Sequence, residues 1–218
     1  MTEEYKELYL GGEGEIVEKK SRFIATTKPV KTEAEAIAFI EEMKKKYWDA
    51  RHNCSAFVIG SQSEIARCSD DGEPGGTAGR PMLEVLLKEE IHNIAVVVTR
   101  YFGGTLLGTG GLIRAYEGAV KQGLFNSQII IKYHAMLISI KTDYNGLGKI
   151  QFILSGHQCD ILKAEYTEAV ELETAIPVSK LEQIRKELIE TTNGTIKLEE
   201  RQEIYAAKID GKVLIFDQ

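Results

Sequence analysis

The sequence reads DDGEPGGTAGRP from Asp70 to Pro81 and TRYFGGTLLGTGGLIR from Thr99 to Arg114. These two glycine-rich loops lie within residues 69–118, which hold ten of the 20 glycines of the chain. A pattern of apolar residues at helical spacing follows each loop. Because glycine loses more conformational entropy on folding than any other residue, the cluster indicates unusual dihedrals or a backbone that another group approaches closely. The two interpretations are an anion site at the helix starts and tight structural turns.

Neither loop fulfils a nucleotide-binding motif. Gly103 and Gly108 have the spacing of a P-loop, but Thr109 and Gly110 stand where that motif requires Lys and then Ser or Thr. The dinucleotide-binding pattern also fails, because Ile113 takes the place of its third glycine. The sequence therefore argues against hydrolysis of ATP or GTP by the P-loop mechanism.

What remains is a surface of loop backbone flanked by arginines. Arginine offers paired N–H donors that match a phosphate, and aromatic side chains beside arginine can stack on single-stranded bases. The candidate residues for binding phosphate or nucleic acid are Gly75, Gly76, Thr77, Gly79, Arg80, Arg100, Tyr101, Gly103, Gly104, Gly108, Gly110, Gly111 and Arg114. We expect the neighbouring aromatic residues Phe102 and Tyr116 to belong to the core.

Three acids, Asp70, Asp71 and Glu73, fall within four residues of the first loop. Carboxylates on a loop are typical ligands of magnesium, which makes these residues the candidates for a metal site. The alternative is that they cap the following helix or pair with Arg80 and Arg100. We favour this alternative and predict no metal and no other cofactor.

The three cysteines, Cys54, Cys68 and Cys159, are widely spaced and form no Cys-x-x-Cys pair. This pattern favours reduced thiols over a disulfide framework or a zinc site. Because His52 is close to Cys54 in the sequence, a Cys–His nucleophile is an alternative. Cys54 and Cys68 adjoin apolar strands, however, where a free cysteine usually packs as a small hydrophobe. We therefore predict no catalytic residue and favour a non-enzymatic role.

The overall charge argues against a generally basic nucleic-acid-binding protein. The chain has 27 Lys and Arg against 33 Asp and Glu, a net charge of −6. Residues 1–134 hold 17 basic against 19 acidic residues, and residues 135–218 hold 10 against 14. Any binding of nucleic acid must therefore depend on a local patch. No run approaches the roughly 18 apolar residues of a membrane helix, and the N-terminus lacks a signal-peptide pattern, so we expect a cytoplasmic protein without a membrane partner.

Periodicity and turn signals predict two α+β domains, residues 1–133 and 134–218. In the first domain, Thr32 and Glu35 form a capping box before a helix that ends near residue 47. The β-branched run at 94–99 is predicted to be a central strand.

The second domain has its own pattern of elements. The predicted order is β-α-β-β-α-β, which is the ferredoxin-like arrangement. Asp143 is the predicted cap of its first helix, and Ser179 with Glu182 forms a predicted capping box for its second.

The two loops, together with two shorter segments before them, resemble the IMPACT family. The matching residues are 21–23, 52–54, 70–81, 98–104 and 107–116, within about the first 130 residues. The resemblance implies an N-terminal domain like the second domain of ribosomal protein S5 and a C-terminal domain similar to the last domain of elongation factor G. Eukaryotic members regulate translation through the amino-acid-starvation kinase pathway and carry an additional N-terminal RWD domain. We do not expect that domain in this sequence, so the partner in the kinase pathway is not carried over. The family supplies no catalytic residue.

From these observations we expect a translation-associated regulator, not an enzyme, that binds RNA or the ribosome through the arginine-flanked glycine-rich surface. One alternative is a protein-interaction module, whose partner would bind the acidic C-terminal domain. The other is an enzyme acting on a phosphorylated small molecule, with the loops as phosphate cradle and the acids of the first loop as metal ligands.

Overall fold

The computed structural model describes residues 3–216, which form two compact units. One unit is Tyr5–Ile130, and the other comprises residues 3–4 and 131–216. Both units combine helices and strands, which confirms the predicted α+β class with two domains. The predicted boundary between residues 133 and 134 falls inside one continuous strand, Gln128–Thr142, and stays a prediction.

The first unit is built around an antiparallel sheet. In chain order its elements are β1 (Glu4–Leu10), β2 (Glu13–Glu18), β3 (Ser21–Pro29), α1 (Glu33–Lys46), β4 (His52–Ile59), β5 (Ile65–Ser69), α2 (Gly79–Lys88), β6 (Ile91–His92), β7 (Ile94–Tyr101) and α3 (Thr109–Phe125). The sheet order is β2-β3-β7-β4-β5, so the predicted central strand is confirmed as β7. β1 and β6 pair in parallel, with Lys6 opposite Ile91.

β7 has a hydrophobic layer on each side, because successive side chains of a strand point to opposite faces. Val96 packs in one cluster with Met82 of α2 and Tyr116 of α3. Val97 packs in another cluster with Phe39 of α1. The sheet therefore lies between α1 on one face and the two helices that follow the glycine-rich loops on the other.

The start of α1 confirms the cap at Thr32. The Thr32 hydroxyl accepts the backbone N–H of Glu35 at 3.2 Å. The return bond differs from a standard capping box, because the Glu35 carboxylate accepts the N–H of Lys31 at 2.6 Å. Both bonds still satisfy N–H groups that have no partner within the helix.

The second unit places two helices on one face of its sheet. Its elements are β8 (Gln128–Thr142), α4 (Tyr144–Gly156), β9 (Ile161–Tyr166), β10 (Val170–Pro177), α5 (Leu181–Thr191), β11 (Lys197–Ile209) and β12 (Lys212–Phe216). The strands are antiparallel in the order β9-β10-β8-β11-β12. Ile150 of α4 and Ile184 of α5 share one cluster with Ile140 and Leu172 of the sheet. The predicted element order is found from β8 to β11, and β12 adds an edge strand.

The two helices of this unit begin differently. Asp143 caps α4 as predicted, because its carboxylate accepts the N–H of Gly146 at 2.8 Å. The predicted cap at Ser179 is wrong: this residue lies within a 3-10 turn, Val178–Lys180, that leads directly into α5. A residue inside such a turn already has a helical backbone, so Ser179 does not take the extended conformation typical of an N-cap.

The helices of both units are of ordinary length for a globular protein. α3 has 17 residues and α1 has 14. Within residues 3–216, no helix combines the length and the apolar character that crossing a membrane requires.

Candidate functional site

The first glycine-rich loop folds around its own carboxylate, that of Asp70. Asp70 Oδ1 accepts hydrogen bonds from the N–H groups of Ala78 and Gly79 at 3.0 and 2.8 Å, and Oδ2 accepts that of Gly76 at 2.8 Å. Burial alone would raise the pKa of Asp70, but the three donors outweigh burial and lower that pKa below its ordinary value. The anion at the start of α2 is therefore supplied by the chain itself.

Asp71 fastens the same loop to β4. Its Oδ2 accepts the N–H of Asn53 at 2.7 Å, and Lys44 Nζ lies 3.3 Å from Oδ1. The carbonyl oxygen of Asp71 lies 2.9 Å from His52 Nδ1. Because a carbonyl oxygen only accepts, Nδ1 carries the proton in this bond, and Nε2 is left for another partner.

Glu73 connects the two loops through a buried ion pair with Arg100. Arg100 Nη1 lies 2.7 Å from Glu73 Oε1, and the same oxygen accepts the Tyr116 hydroxyl at 2.8 Å. Glu73 and Arg100 are each 7% exposed, and Tyr116 is 0% exposed. Tyr116 is therefore a core residue, as predicted, while Arg100 is not a free arginine at the rim of the loops.

Cys54 lies beside this network. Its Sγ is 3.0 Å from the carbonyl oxygen of Asp70 and 3.3 Å from the hydroxyl oxygen of Tyr116. Burial raises the pKa of Cys54 to about 12. Since the thiolate is the nucleophilic form, a thiol with this pKa is inert near neutral pH. The geometry gives no support to a Cys54–His52 nucleophile, because His52 Nδ1 bonds to Asp71 instead.

The three acids of the first loop do not converge on one point. Asp70 holds the loop N–H groups, Asp71 holds β4, and Glu73 holds Arg100 and Tyr116. Within the part of the chain that the structure describes, no group of three or more His, Cys, Asp and Glu side chains is placed to hold a metal ion. The three acids instead bind backbone N–H groups, as Asp70 and Asp71 do, or pair with an arginine, as Glu73 does.

Close packing explains some of the predicted glycines. A Cβ on Gly79 would lie 2.7 Å from the backbone of Ser69, and a Cβ on Gly103 would lie 2.0 Å from the backbone of Lys20. A Cβ on Gly111 would meet the side chain of Leu107 at 2.9 Å. The other predicted glycines border open space. A Cβ at any of them would lie at least 3.5 Å from every heavy atom of residues 3–216 that is not a neighbour in the chain or in the helix backbone. These glycines are Gly75, Gly76, Gly104, Gly108 and Gly110.

Thr77 and Tyr101, the two predicted residues with hydroxyl groups, make internal hydrogen bonds. Thr77 is buried, and its hydroxyl donates to the carbonyl of Pro74 at 2.7 Å. The Tyr101 hydroxyl donates to Asp49 Oδ1 at 2.8 Å. Thr77 therefore shapes the first loop, and Tyr101 ties the end of β7 to the segment before β4.

The three predicted arginines lie in different environments. Arg80 Nε is 2.7 Å from Glu84 Oε1 along α2, and Arg100 is buried with Glu73. Arg114 is exposed, and its Nη1 lies over the first turn of α3, 3.5 Å from the place of a Cβ on Gly110. Of these three, only Arg114 is without an ion pair among residues 3–216. Their role in binding remains a prediction.

An open cleft of about 580 Å³ lies between the second loop and the start of β4. We name it the loop cleft, and its lining residues are Asp49, Ala50, Arg51, His52, Arg100, Tyr101, Phe102 and Leu106. Phe102 is 53% exposed, so its predicted place in the core is wrong. The reason is that β7 ends at Tyr101, and the following residue leaves the sheet.

Arg51, Asp49 and Leu106 were not predicted as site residues. Arg51 is exposed and forms no ion pair with another residue of the described chain. The sequence did hold a signal for Arg51, because it directly precedes the segment 52–54, which is one of those that carry the family resemblance. His52 in turn pairs across the sheet with Arg100.

Two family models match the chain. The model described as Impact N-terminal domain matches residues 19–124, and the model described as a domain of unknown function, DUF1949, matches residues 140–195. The first match includes both glycine-rich loops and every residue that lines the loop cleft.

Similar proteins extend over most of the chain. IMPACT family member YvyE of Bacillus subtilis is 43% identical over 208 residues, which cover 95% of this chain and 96% of YvyE. IMPACT family member YigZ of Escherichia coli is 38% identical over 184 residues, covering 83% of this chain and 89% of YigZ. A solved structure reported as the crystal structure of a hypothetical protein is 34% identical with a TM-score of 0.59, covering 93% of this chain and 99% of its own. The chain therefore belongs to the IMPACT family.

Proposed function

We propose that this IMPACT-family protein is a non-enzymatic regulator of translation that binds RNA or the ribosome through the loop cleft. One observation carries the proposal: an exposed aromatic ring and an exposed cation without an ion pair among residues 3–216 line the same cleft. The ring is that of Phe102, and the cation is that of Arg51. Such a ring can stack on an unpaired base, while arginine binds the adjacent phosphate.

The size and charge of the site favour a single strand. A volume of about 580 Å³ is that of a small-ligand pocket, so it suits an unpaired nucleotide rather than a duplex. Two further cations without ion pairs in the described chain lie at the second loop: Lys20, whose backbone approaches Gly103, and Arg114. Because the whole chain has a net charge of −6, the attraction for phosphate has to be local.

We also infer that the second unit is a ferredoxin-like domain and that the first resembles the second domain of ribosomal protein S5. The strand order β11-β8-β10-β9, with both helices on one face, supports the first assignment. The second assignment depends on the family resemblance. Likeness to folds of the translation machinery supports the function by analogy alone. This function belongs in the cytoplasm, where the three free cysteines would stay reduced.

The test is a gel shift with single-stranded RNA together with cosedimentation with ribosomes, both at about 50 mM salt, where phosphate contacts are strong. We expect the wild-type protein to bind in at least one assay. The double variant Arg51→Ala with Phe102→Ala should lose that binding, because it removes both the cation and the stacking ring. Absence of wild-type binding in both assays would overturn the proposal.

The matched control is Arg67→Ala. Arg67 is an exposed arginine on β5, paired with Glu33 at 2.9 Å, and it does not line the loop cleft. Its removal changes the net charge by the same amount as Arg51→Ala. Arg67→Ala should bind RNA or ribosomes as the wild type does. If Arg67→Ala and Arg51→Ala lost the same amount of binding, the binding would be due to overall charge and not to the cleft.

A further inference from the structure

We propose that the loop cleft contains an oxyanion subsite, in which the free edge of the Arg100 guanidinium group, with Arg51 and His52, holds a phosphate. This inference deepens the proposed function and rests on it, because it names the groups that receive an RNA phosphate. The phosphate of a free nucleotide has the same chemistry, and separate titrations with a mononucleotide and with RNA distinguish these two sources.

Arg100 is ion-paired through one corner of its guanidinium group. Nη1 bonds to Glu73, whereas Nε is buried and has no hydrogen-bond partner among residues 3–216. The Nε–H and the adjacent Nη2–H form the edge through which arginine makes paired hydrogen bonds to a carboxylate or phosphate. A buried N–H without an acceptor costs free energy, which points to an acceptor from outside the chain.

The guanidinium group is held in place before any ligand arrives. Its Cζ lies 5.4 Å from the centroid of the Phe23 ring and 5.6 Å from that of Phe102. Glu73, its ion-pair partner, is itself held by the Tyr116 hydroxyl. A donor fixed in this way loses little conformational freedom when it binds an anion.

His52 and Arg51 complete the subsite from the neighbouring strand and the residue before it. His52 stands opposite Arg100 in the pairing of β4 with β7. Its Nδ1–H donates to the Asp71 carbonyl, so Nε2 is the ring atom left for a ligand, and it donates to a phosphate oxygen when the ring is in the imidazolium form. Arg51 lines the same cleft and is exposed.

The acids at the cleft have partners of their own. Asp49 is the acidic residue among those that line the cleft, and it accepts the Tyr101 hydroxyl at 2.8 Å. Glu73 is balanced by Arg100 and by the Tyr116 hydroxyl. The charges of Arg51 and Arg100 are therefore matched by those of Asp49 and Glu73, and it is the Arg100 Nε–H without an acceptor among residues 3–216 that favours an anionic ligand.

The experiment follows the arginine Nε–H signals of the full chain by ¹H–¹⁵N NMR during titration with inorganic phosphate, then with a mononucleotide, then with short single-stranded RNA. The Arg100 signal is assigned by its loss in Arg100→Lys. We expect this signal to shift with phosphate and not with chloride at matched ionic strength. A shift confined to other arginines, or no shift with any of the three probes, would overturn the subsite.

Affinity measurements on variants give a second readout. Arg100→Lys keeps the charge but removes the paired edge, so phosphate binding should weaken at least about tenfold, a common loss for one charge-assisted hydrogen bond. Arg51→Ala, a surface change that leaves the buried network intact, should weaken it by a similar factor. Arg67→Ala should bind phosphate as the wild type does. Equal phosphate affinity in the wild type and Arg51→Ala would count against the subsite, even if Arg100→Lys fails to fold.

The two proposals fail in different ways. Phosphate and mononucleotide binding with a shifted Arg100 signal, but no RNA binding, would uphold the subsite for a small phosphate ester and overturn the RNA proposal. RNA binding with an unmoved Arg100 signal would uphold the RNA proposal and overturn the subsite.

Discussion

Glu73 Oε1 and Arg100 Nη1 lie 2.7 Å apart, and their side chains are only 3% and 8% exposed. The pair links the first glycine-rich loop to the end of the central strand, β7. Removing one member leaves the other as a buried charge without a partner, which costs far more than an exposed pair contributes. This pair therefore holds the first loop against β7 and fixes the orientation of the Arg100 guanidinium group.

Glu73→Ala should lower the free energy of unfolding by about 3–5 kcal/mol, because Arg100 stays buried without its counter-charge. The matched control is Glu84→Ala, which breaks the exposed Arg80–Glu84 pair of the same length, 2.7 Å. That change should stay within about 1 kcal/mol. Urea unfolding followed by circular dichroism measures both, and equal effects would show that burial of the Glu73–Arg100 pair does not matter.

Asp70 should make the first loop sensitive to acid. The pKa of Asp70 is lower in the folded protein, so the unfolded chain binds the proton more readily. The ionised Asp70 therefore stabilises the fold at pH values above its unfolded-state pKa. This stabilisation is lost as the pH falls through the folded-state pKa. The stability gap between the wild type and Asp70→Asn should therefore be full at pH 7 and shrink below about pH 4. Denaturant titrations across this range measure the gap. Asp210→Asn, in the turn between β11 and β12, is the control, and a gap that does not change with pH would contradict the role of Asp70.

The glycines of the loops should separate into packing and open positions. Gly103→Ala places a Cβ 2.0 Å from the backbone of Lys20 and should destabilise the fold by about 1–3 kcal/mol. Gly75→Ala meets open space at a position where φ is not positive, so stability should stay within about 0.5 kcal/mol. Thermal melting measures the stability of both variants. A larger loss of stability in Gly75→Ala than in Gly103→Ala would contradict the packing seen at the second loop.

Native thiol labelling should distinguish the cysteines. Cys54 is buried with its pKa raised to about 12 by burial, so it should resist iodoacetamide at pH 7. Cys68 is exposed, although partial burial and the nearby Asp70 raise its pKa. It should label first, and faster as pH increases. Peptide mass spectrometry locates the label, and unfolded protein with all three thiols reactive is the control. Rapid labelling of native Cys54 would mean that the network around it opens readily.

The sequence predicts the scaffold well because local patterns determine it. The β-branched run of β7 and the caps at Thr32 and Asp143 depend on a few adjacent residues. Ser179 shows the limit of prediction from local patterns, because it lies in a 3-10 turn after Pro177 and does not cap the following helix.

The partners of the loop residues could not be predicted in the same way. Arg100 faces Glu73 across 27 positions, and Asp70 turns back on N–H groups up to nine residues away. These contacts depend on how the loops close in three dimensions. The exposed Phe102 was missed for a related reason, since its place depends on where β7 leaves the sheet.

Binding of RNA through the loop cleft is tested most directly by the salt dependence of affinity for a labelled single strand. Wild type and Arg67→Ala should give the same slope of log K against log salt, and Arg51→Ala should give a slope shallower by about 0.7, the contribution of one phosphate contact to a single strand. Equal slopes for the wild type and Arg51→Ala would contradict the cleft as the site of binding.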